Sequence, residues 1–214
     1  YRFLKGSGIP LRIPVIEMVE VGAGGGSIAG VDSMRRISVG PERAGSNPGP
    51  FCYGLGGQLP TVTDADVTLG RIDPNNFAGG SIRLDSELAA EALTRSVGDS
   101  LGFSVEHAAL GVSEIVDENM ANAARVHAIE SGKNIDARTV VAFGGAAPIH
   151  VSRLAEKLRV DRVVIPPGAG VGSALGFLRA PVAYEVIRSH YQQLSSLNVD
   201  ETNRLLEGMR EEAA

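Results

Sequence analysis

The chain has 214 residues, 43% of them hydrophobic, enough for one large or two small globular domains around a real core. A formal net charge of −5 offers no basic stripe to a nucleic-acid backbone, so nucleic acid is not an expected partner. The single cysteine, Cys52, excludes an intramolecular disulfide framework and a multi-cysteine zinc site and fits a cytoplasmic setting, and no apolar run reaches the roughly 18 residues that span a bilayer. Glycine is the unusual component: there are 27, against an average usage of roughly 7%, so many backbone positions must turn sharply or approach something closely. The first residue is Tyr1 rather than methionine, and the chain is expected to be a piece of something longer.

In chain order, residues 13–21 are rich in β-branched types and run into Gly22-Ala23-Gly24-Gly25-Gly26-Ser27, which predicts a strand feeding a glycine loop, with Pro14 forcing an edge or bend. Residues 30–83 carry turn dipeptides at Pro48-Gly49, Gly56-Gly57 and Gly79-Gly80 and short β-like runs over 35–39 and 61–63. Phe51, Tyr53, Leu55, Val62 and Leu69 are there to anchor an ordered loop region. Asp85 is a good N-cap, and Ala89, Leu93, Val97 and Leu101 recur every four residues up to Gly102, the mark of an amphipathic helix. Ser104 opens a second helix whose apolar stripe persists to Ser131-Gly132; at roughly 27 residues and ~1.5 Å each it is near 40 Å long, and its many small residues suit burial between neighbours. A strand over 139–143, a turn Gly144-Gly145-Ala146-Ala147, a helix opened by Pro148, a strand over 162–165, a turn at Pro166-Pro167-Gly168 and a helix over 171–178 follow. That alternation predicts βαβ units with parallel strands. A charged amphipathic helix from Asp200 that frays at its end closes the chain, which divides into a strand and glycine-loop region over 1–83, an α/β part over 84–190 and a helical tail over 191–214.

The best physical case for a ligand is the strand-turn-helix over 140–150. Gly144 and Gly145 remove side chains where a strand ends, and the free N–H groups of the next helix carry partial positive charge. Two readings stand equal on the residues alone: a nucleotide lying against bare backbone, or close packing of strand on helix. The loop formed by Gly24, Gly25, Gly26 and Ser27 is either an anion nest or a tight crossing; Ser27 where a third glycine belongs argues against a dinucleotide fingerprint. Asp64 and Asp66 share one face if their segment is extended, a pairing that suits a divalent ion, although capping or turn hydrogen bonds are the commoner use of such residues. The histidines are scattered, which argues against a zinc site, and His150 reads as a helix-surface or capping residue rather than an acid or base. Cys52 reads as a small buried hydrophobe rather than a nucleophile.

Several long segments in order are more specific than any periodicity: residues 22–29 (Gly-Ala-Gly-Gly-Gly-Ser-Ile-Ala), 39–54 from Val-Gly-Pro through Pro-Gly-Pro-Phe-Cys-Tyr-Gly, 60–65 (Pro-Thr-Val-Thr-Asp-Ala), 69–71 (Leu-Gly-Arg), 143–150 (Phe-Gly-Gly-Ala-Ala-Pro-Ile-His) and 166–176. Together they resemble the hydantoinase A/5-oxoprolinase family over about residues 8–185. The resemblance implies a lobe of the actin, hexokinase and sugar-kinase-like ATPase superfamily, with a mixed sheet and a long buried helix. It implies ATP and Mg2+ as cofactors, a cyclic amide such as a hydantoin or 5-oxoproline as the substrate to be opened, and a hydantoinase B-like partner subunit; homo-oligomerisation stays open. The 143–147 turn matches the family's adenosine motif, which assigns Gly144, Gly145, Ala146 and Ala147 to the nucleotide, whereas phosphate loops of the Asp-x-Gly-Gly-Thr kind are expected upstream. Ala147 stands where glycine is usual in the family, Phe51 where alanine is usual, and Asn47 where alanine or aspartate is common. Relatives that are ketone carboxylase subunits supply an alternative, and a non-catalytic assembly lobe is a third reading.

Overall fold

The structure, a computed structural model, describes residues 18–214. The strand expected over 13–21 lies largely outside the described residues, and residues 18–21 carry no strand. The chain divides into two compact units, one ending at Gly172 and one running from Ser173 to Ala214.

The first unit opens with an antiparallel hairpin of β1 (Ser27–Val31) and β2 (Ile37–Arg43), in which Ala29 faces Val39 and Val31 faces Ile37. Asp32 closes it: one carboxylate oxygen accepts from the N–H groups of Met34 and Arg36, both at 2.9 Å, and the other pairs with the Arg36 guanidinium at 2.8 Å. The β-like run expected over 61–63 is corrected. Thr61 is the N-cap of a helix, α1 (Val62–Thr68), held by a reciprocal capping box: the Thr61 side chain accepts from Asp64 N–H and the Asp64 carboxylate accepts from Thr61 N–H. Every residue from Val62 to Val67 is buried, so α1 shows no amphipathic period, and its β-branched composition imitates a strand.

The helix expected from Asp85 to Gly102 is continuous but not uniform. Asp85 caps α2 (Ser86–Leu93) by accepting from Glu87 and Leu88 N–H; a π-helical turn spans Thr94–Gly98; a last turn, α3 (Asp99–Leu101), ends at Gly102 in the left-handed region with φ 71°. The physical reason is in the spacing of the apolar residues. A repeat of four exceeds the 3.6 residues of an α-helical turn, so the stripe drifts, and one wider turn brings Val97 back beside Leu93, both fully buried.

The long helix α4 runs unbroken over Val105–Glu130, capped by Ser104, with its side chain accepting from His107 N–H. It is the core element only along its first two-thirds: Ala108, Ala109, Val112, Val116 and Ala121 are buried, while Val126 and Ile129 are 54% and 77% exposed. Gly111, costly inside a helix by roughly 1 kcal/mol relative to alanine, stands where a Cβ would come within 2.4 Å of the end of the Ile37 side chain. The missing side chain lets β2 press onto α4. The main core joins β1, β2, α1, the α2 to α3 helix and α4, a second cluster groups Cys52, Val67, Leu84 and Ala89, and a third sets Ala121 of α4 against Ala155, Leu158 and Val160.

β3 (Thr139–Val141), α5 (Ala147–Leu158) and β4 (Arg162–Val164) form the expected βαβ unit, β3 pairing parallel with β4 as Val140 opposite Val163. Helix and strand are mixed as expected, but among the described residues the strands make two separate two-stranded sheets, one antiparallel and one parallel, and not one mixed sheet. α6 (Gly172–Arg179) leads into the second unit, which contains α7 (Val199–Ala213), capped by Asn198; no residue from 173 to 214 is buried. No helix among the described residues is long and apolar enough to cross a membrane.

Candidate functional site

The 143–147 turn follows β3 and opens α5. Gly144 has φ 94°, a conformation that disfavours a side chain, and its N–H donates to the Ala169 carbonyl at 2.7 Å, so the loop after β3 is tied to the loop after β4. Both loops therefore lie at the carboxyl ends of parallel strands, where open α/β sheets hold their ligands. Gly145 is exposed, and a Cβ built on it meets nothing within 4 Å. The left-handed position is thus Gly144, while Gly145 keeps open the space in front of the helix. At the head of α5 the N-cap is Ala146, which has no side chain to cap with, Pro148 in the first turn has no N–H, and Ile149 N–H donates to the Ala146 carbonyl at 3.0 Å, so the leading Ala147 N–H is the one without a side-chain cap. Phe143, 53% exposed, flanks the turn, and a Cβ on Gly172 would come within 3.2 Å of its side chain.

The other glycine loop is differently used. Gly25 accepts from the Thr63 N–H at 2.8 Å and from its hydroxyl at 2.9 Å, Gly26 accepts from Ala44 N–H, and Gly24 accepts from Ser27 N–H. The buried Ser27 hydroxyl donates to Gly22 O and accepts from Gly24 N–H. A Cβ on Gly25 would come within 2.8 Å of the Thr63 hydroxyl. These bonds dock the carbonyl side of the loop over Gly24, Gly25, Gly26 and Ser27 on the first turn of α1 and on the end of β2, as a tight crossing would be.

The shared face considered for a metal at Asp64 presumed an extended segment, and that segment is helix α1. Asp64 and Asp66 sit two apart on α1, not on an extended strand, and so point to different sides. Asp64 is fully buried: one oxygen accepts from Cys52 N–H at 2.7 Å, the other from Thr61 N–H at 2.7 Å, the Thr61 hydroxyl at 2.9 Å and Phe51 N–H at 3.3 Å. A carboxylate engaged on this scale anchors the 50–53 loop. Among the described residues no group of three His, Cys, Asp or Glu could hold a metal. Cys52 is buried as expected, and burial together with the Asp64 charge pushes its thiol far above the ordinary range.

His150 is where the sequence reading was furthest off. It is not on the surface but 2% exposed, on the opening turn of α5, between Asp117 of α4 and Asp66 of α1. Its Nδ1 lies 2.9 Å from Asp117 Oδ1, and its Nε2 lies 3.1 Å from Asp66 Oδ2, at ion-pair distance but off the line of a hydrogen bond. Burial would lower the imidazole pKa, but the Asp117 hydrogen bond and the two neighbouring carboxylates outweigh it and push it up to about 9. Arg71 completes the cluster, its guanidinium 3.3 Å from Asp66 Oδ1 and donating to the Ser113 hydroxyl at 2.5 Å. The three elements lie far apart in sequence, and no local pattern could have brought them together. On the outer face, Arg153 and Lys157 of α5 bind Glu114 of α4, the first-named contact doing most to hold that carboxyl down at about 2. A surface cleft of about 590 Å³ lined by Cys52, Tyr53, Asn75, Arg83 and Asp85, among others, includes no residue of the turn or of the His150 cluster and carries no argument for the site.

Residues 3–186 match a family model described as Hydantoinase/oxoprolinase. The chain is 38% identical over 203 residues to the caprolactamase alpha subunit of Pseudomonas jessenii, covering 94% of this chain and 29% of that protein. It is 42% identical over 167 residues to the acetophenone carboxylase gamma subunit of Aromatoleum aromaticum, covering 78% and 22%. Among solved structures, nucleotide-free acetone carboxylase, an enzyme of ATP-dependent acetone carboxylation, superposes with a TM-score of 0.74 at 28% identity over 89% of this chain and 28% of that one. The ATP-dependent caprolactamase of Pseudomonas jessenii superposes with a TM-score of 0.70 at 37% identity, again over 89% and 28%. The chain spans less than a third of the length of these relatives.

Proposed function

The chain belongs to the hydantoinase/oxoprolinase family, and on that premise we propose that it is the portion of an ATP-dependent amidohydrolase, acting on a cyclic amide, that receives the adenosine side of the nucleotide. The observation that carries the reading is the 143–147 turn: left-handed at Gly144, open in front of Gly145, followed by a 12-residue helix whose first N–H groups no side chain caps. A nucleotide lying there would meet backbone rather than side chains, with Phe143 beside it and the favourable end of the helix dipole beneath it. Gly144, Gly145, Ala146 and Ala147 are the residues that bind and orient. When bound, ATP supplies a phosphoryl group that activates an otherwise unreactive amide. The reading gives Mg2+ to the phosphate side of the site, contributed from elsewhere. It further takes the lobe to be of the actin and sugar-kinase-like type, in the cytoplasm, working with a hydantoinase B-like partner subunit.

A second reading has its own support, since the acetophenone carboxylase subunit is the more identical of the two relatives above and acetone carboxylase gives the higher TM-score. In it the same turn serves a ketone carboxylase. The two readings separate on substrate: full-length protein with its partner is supplied with ATP and either cyclic amides or a ketone with bicarbonate, and ATP consumption follows one set only.

The turn is tested by Gly145→Val. A Cβ at the exposed Gly145 meets nothing within 4 Å, so the variant is expected to fold while losing nucleotide affinity by about a hundredfold or more, because the valine fills the space the nucleotide needs. Calorimetric titration with ATP decides: wild-type affinity in a folded variant makes the turn structural only.

A further inference from the structure

Burying an ionisable group is costly unless it is paired, and three lie together beneath the turn: Asp66 and His150, each with 2% of the side chain exposed, and Asp117 with none. They come from α1, α5 and α4, so His150 joins the opening turn of α5 to two other helices. Nδ1 is hydrogen-bonded to Asp117 and Nε2 lies 3.1 Å from an Asp66 oxygen at ion-pair distance, so a cationic imidazole answers both carboxylates where a neutral one answers a single carboxylate. Charges then balance, Asp66 and Asp117 against His150 and Arg71. Asp117 Oδ2, buried without a hydrogen-bond partner, depends on that cation more than a satisfied carboxylate would. Of the charged groups around His150, Asp66 on α1 and Asp117 on α4 face it, Arg71 reaches it through Asp66, and Arg153 on its own helix turns outward to Glu114 and Glu156. At the head of α5 there is no side-chain cap.

We propose that His150 is a positioning residue for nucleotide binding: hydrogen-bonded to Asp117 through Nδ1 and ion-paired with Asp66 through Nε2, it fixes the first turn of α5 and so the backbone at its head, the Ala147 N–H included, that faces the ligand. This rests on the reading of the 143–147 turn as the adenosine contact. The protonated state is the ordered one. With the folded-state pKa raised to about 9, the grip is complete below the ordinary histidine pKa of about 6.5, holds through neutral pH, and is lost as the pH rises through about 9.

The test uses the full-length protein and ATP itself. Wild-type affinity is expected to be nearly level from pH 7.5 to about 8.5 and to weaken about fivefold by pH 10, with thermal melts showing the protein still folded. His150→Gln is expected to raise the Kd and KM for ATP about tenfold at pH 7.5, to change kcat at saturating ATP far less, and to abolish the alkaline weakening. Asp117→Asn, which keeps the shape and removes a charge, should lie between. A folded His150→Gln that binds ATP as the wild type does, while Gly145→Val does not, overturns the positioning role and leaves the nucleotide reading standing. Unchanged binding in Gly145→Val removes both. If His150→Gln does not fold, wild-type affinity decides: a level profile to pH 10 overturns the proposal, and a fall through about 9 supports it.

Discussion

Asp64 and Asp66 show how two identical residues one step apart on a strand pattern take unrelated duties on a helix. Asp64 faces the loop before α1 and bonds the N–H groups of Cys52 and Thr61 from full burial. Asp66 faces the opposite way, into the His150 cluster. Removing the first leaves buried donors without partners, which costs more than the bonds themselves contribute. Asp64→Ala is therefore expected to destabilise the first unit by roughly 2 to 4 kcal/mol and, with the 50–53 loop loosened, to expose Cys52. Urea unfolding read beside thiol labelling of the native protein checks both; a variant as stable as the wild type, with Cys52 still protected, contradicts the anchoring role.

At the scale of elements, α4 is a core helix along part of its length and a partly solvated one beyond, although its apolar stripe runs on through Val126 and Ile129. The stripe states which face is apolar; what covers it depends on where α1, β2 and α5 end. Val116, fully buried against the main core, is expected to cost roughly 1 to 3 kcal/mol as Val116→Ala. Ile129→Ala, on a side chain 77% exposed, is expected to stay within roughly 0.5 kcal/mol. Equal losses in chemical denaturation would mean that the far end of α4 is as well covered as the near end. The π turn of α2 belongs to the same scale, because it absorbs the mismatch between a four-residue repeat and a 3.6-residue turn.

For the whole molecule, the proposed site is a half-site. A turn that meets the adenosine portion lacks the charge-assisted contacts to phosphate, each worth roughly 1.5 to 3 kcal/mol, and phosphoryl transfer is catalysed chiefly by positioning and charge stabilisation at the phosphates. The 214-residue chain alone is therefore expected to release no phosphate from ATP above background and to bind it weakly, with full-length protein as the positive control. Turnover by the isolated chain at a rate near that control would place the phosphate machinery within these residues.

What the sequence by itself determined were the features whose cause is local. The caps at Asp85 and Ser104, the stop at Gly102, the proline opening α5, the alternation of β3, α5 and β4 and the glycine turn between them follow from backbone propensity and periodicity within a few residues. Family membership was legible in the same way, from long motifs in order. α1 imitates a strand in sequence because full burial erases the helical period, although Thr61 followed three residues later by Asp64 spells a capping box. Tertiary structure alone decided which glycine is left-handed in the turn, where the first glycine loop docks, how far α4 is covered, and that His150 lies between Asp66 and Asp117. Each of these depends on groups distant in sequence whose approach is set by packing, and a buried charge declares its partners only once the helices that carry them have met.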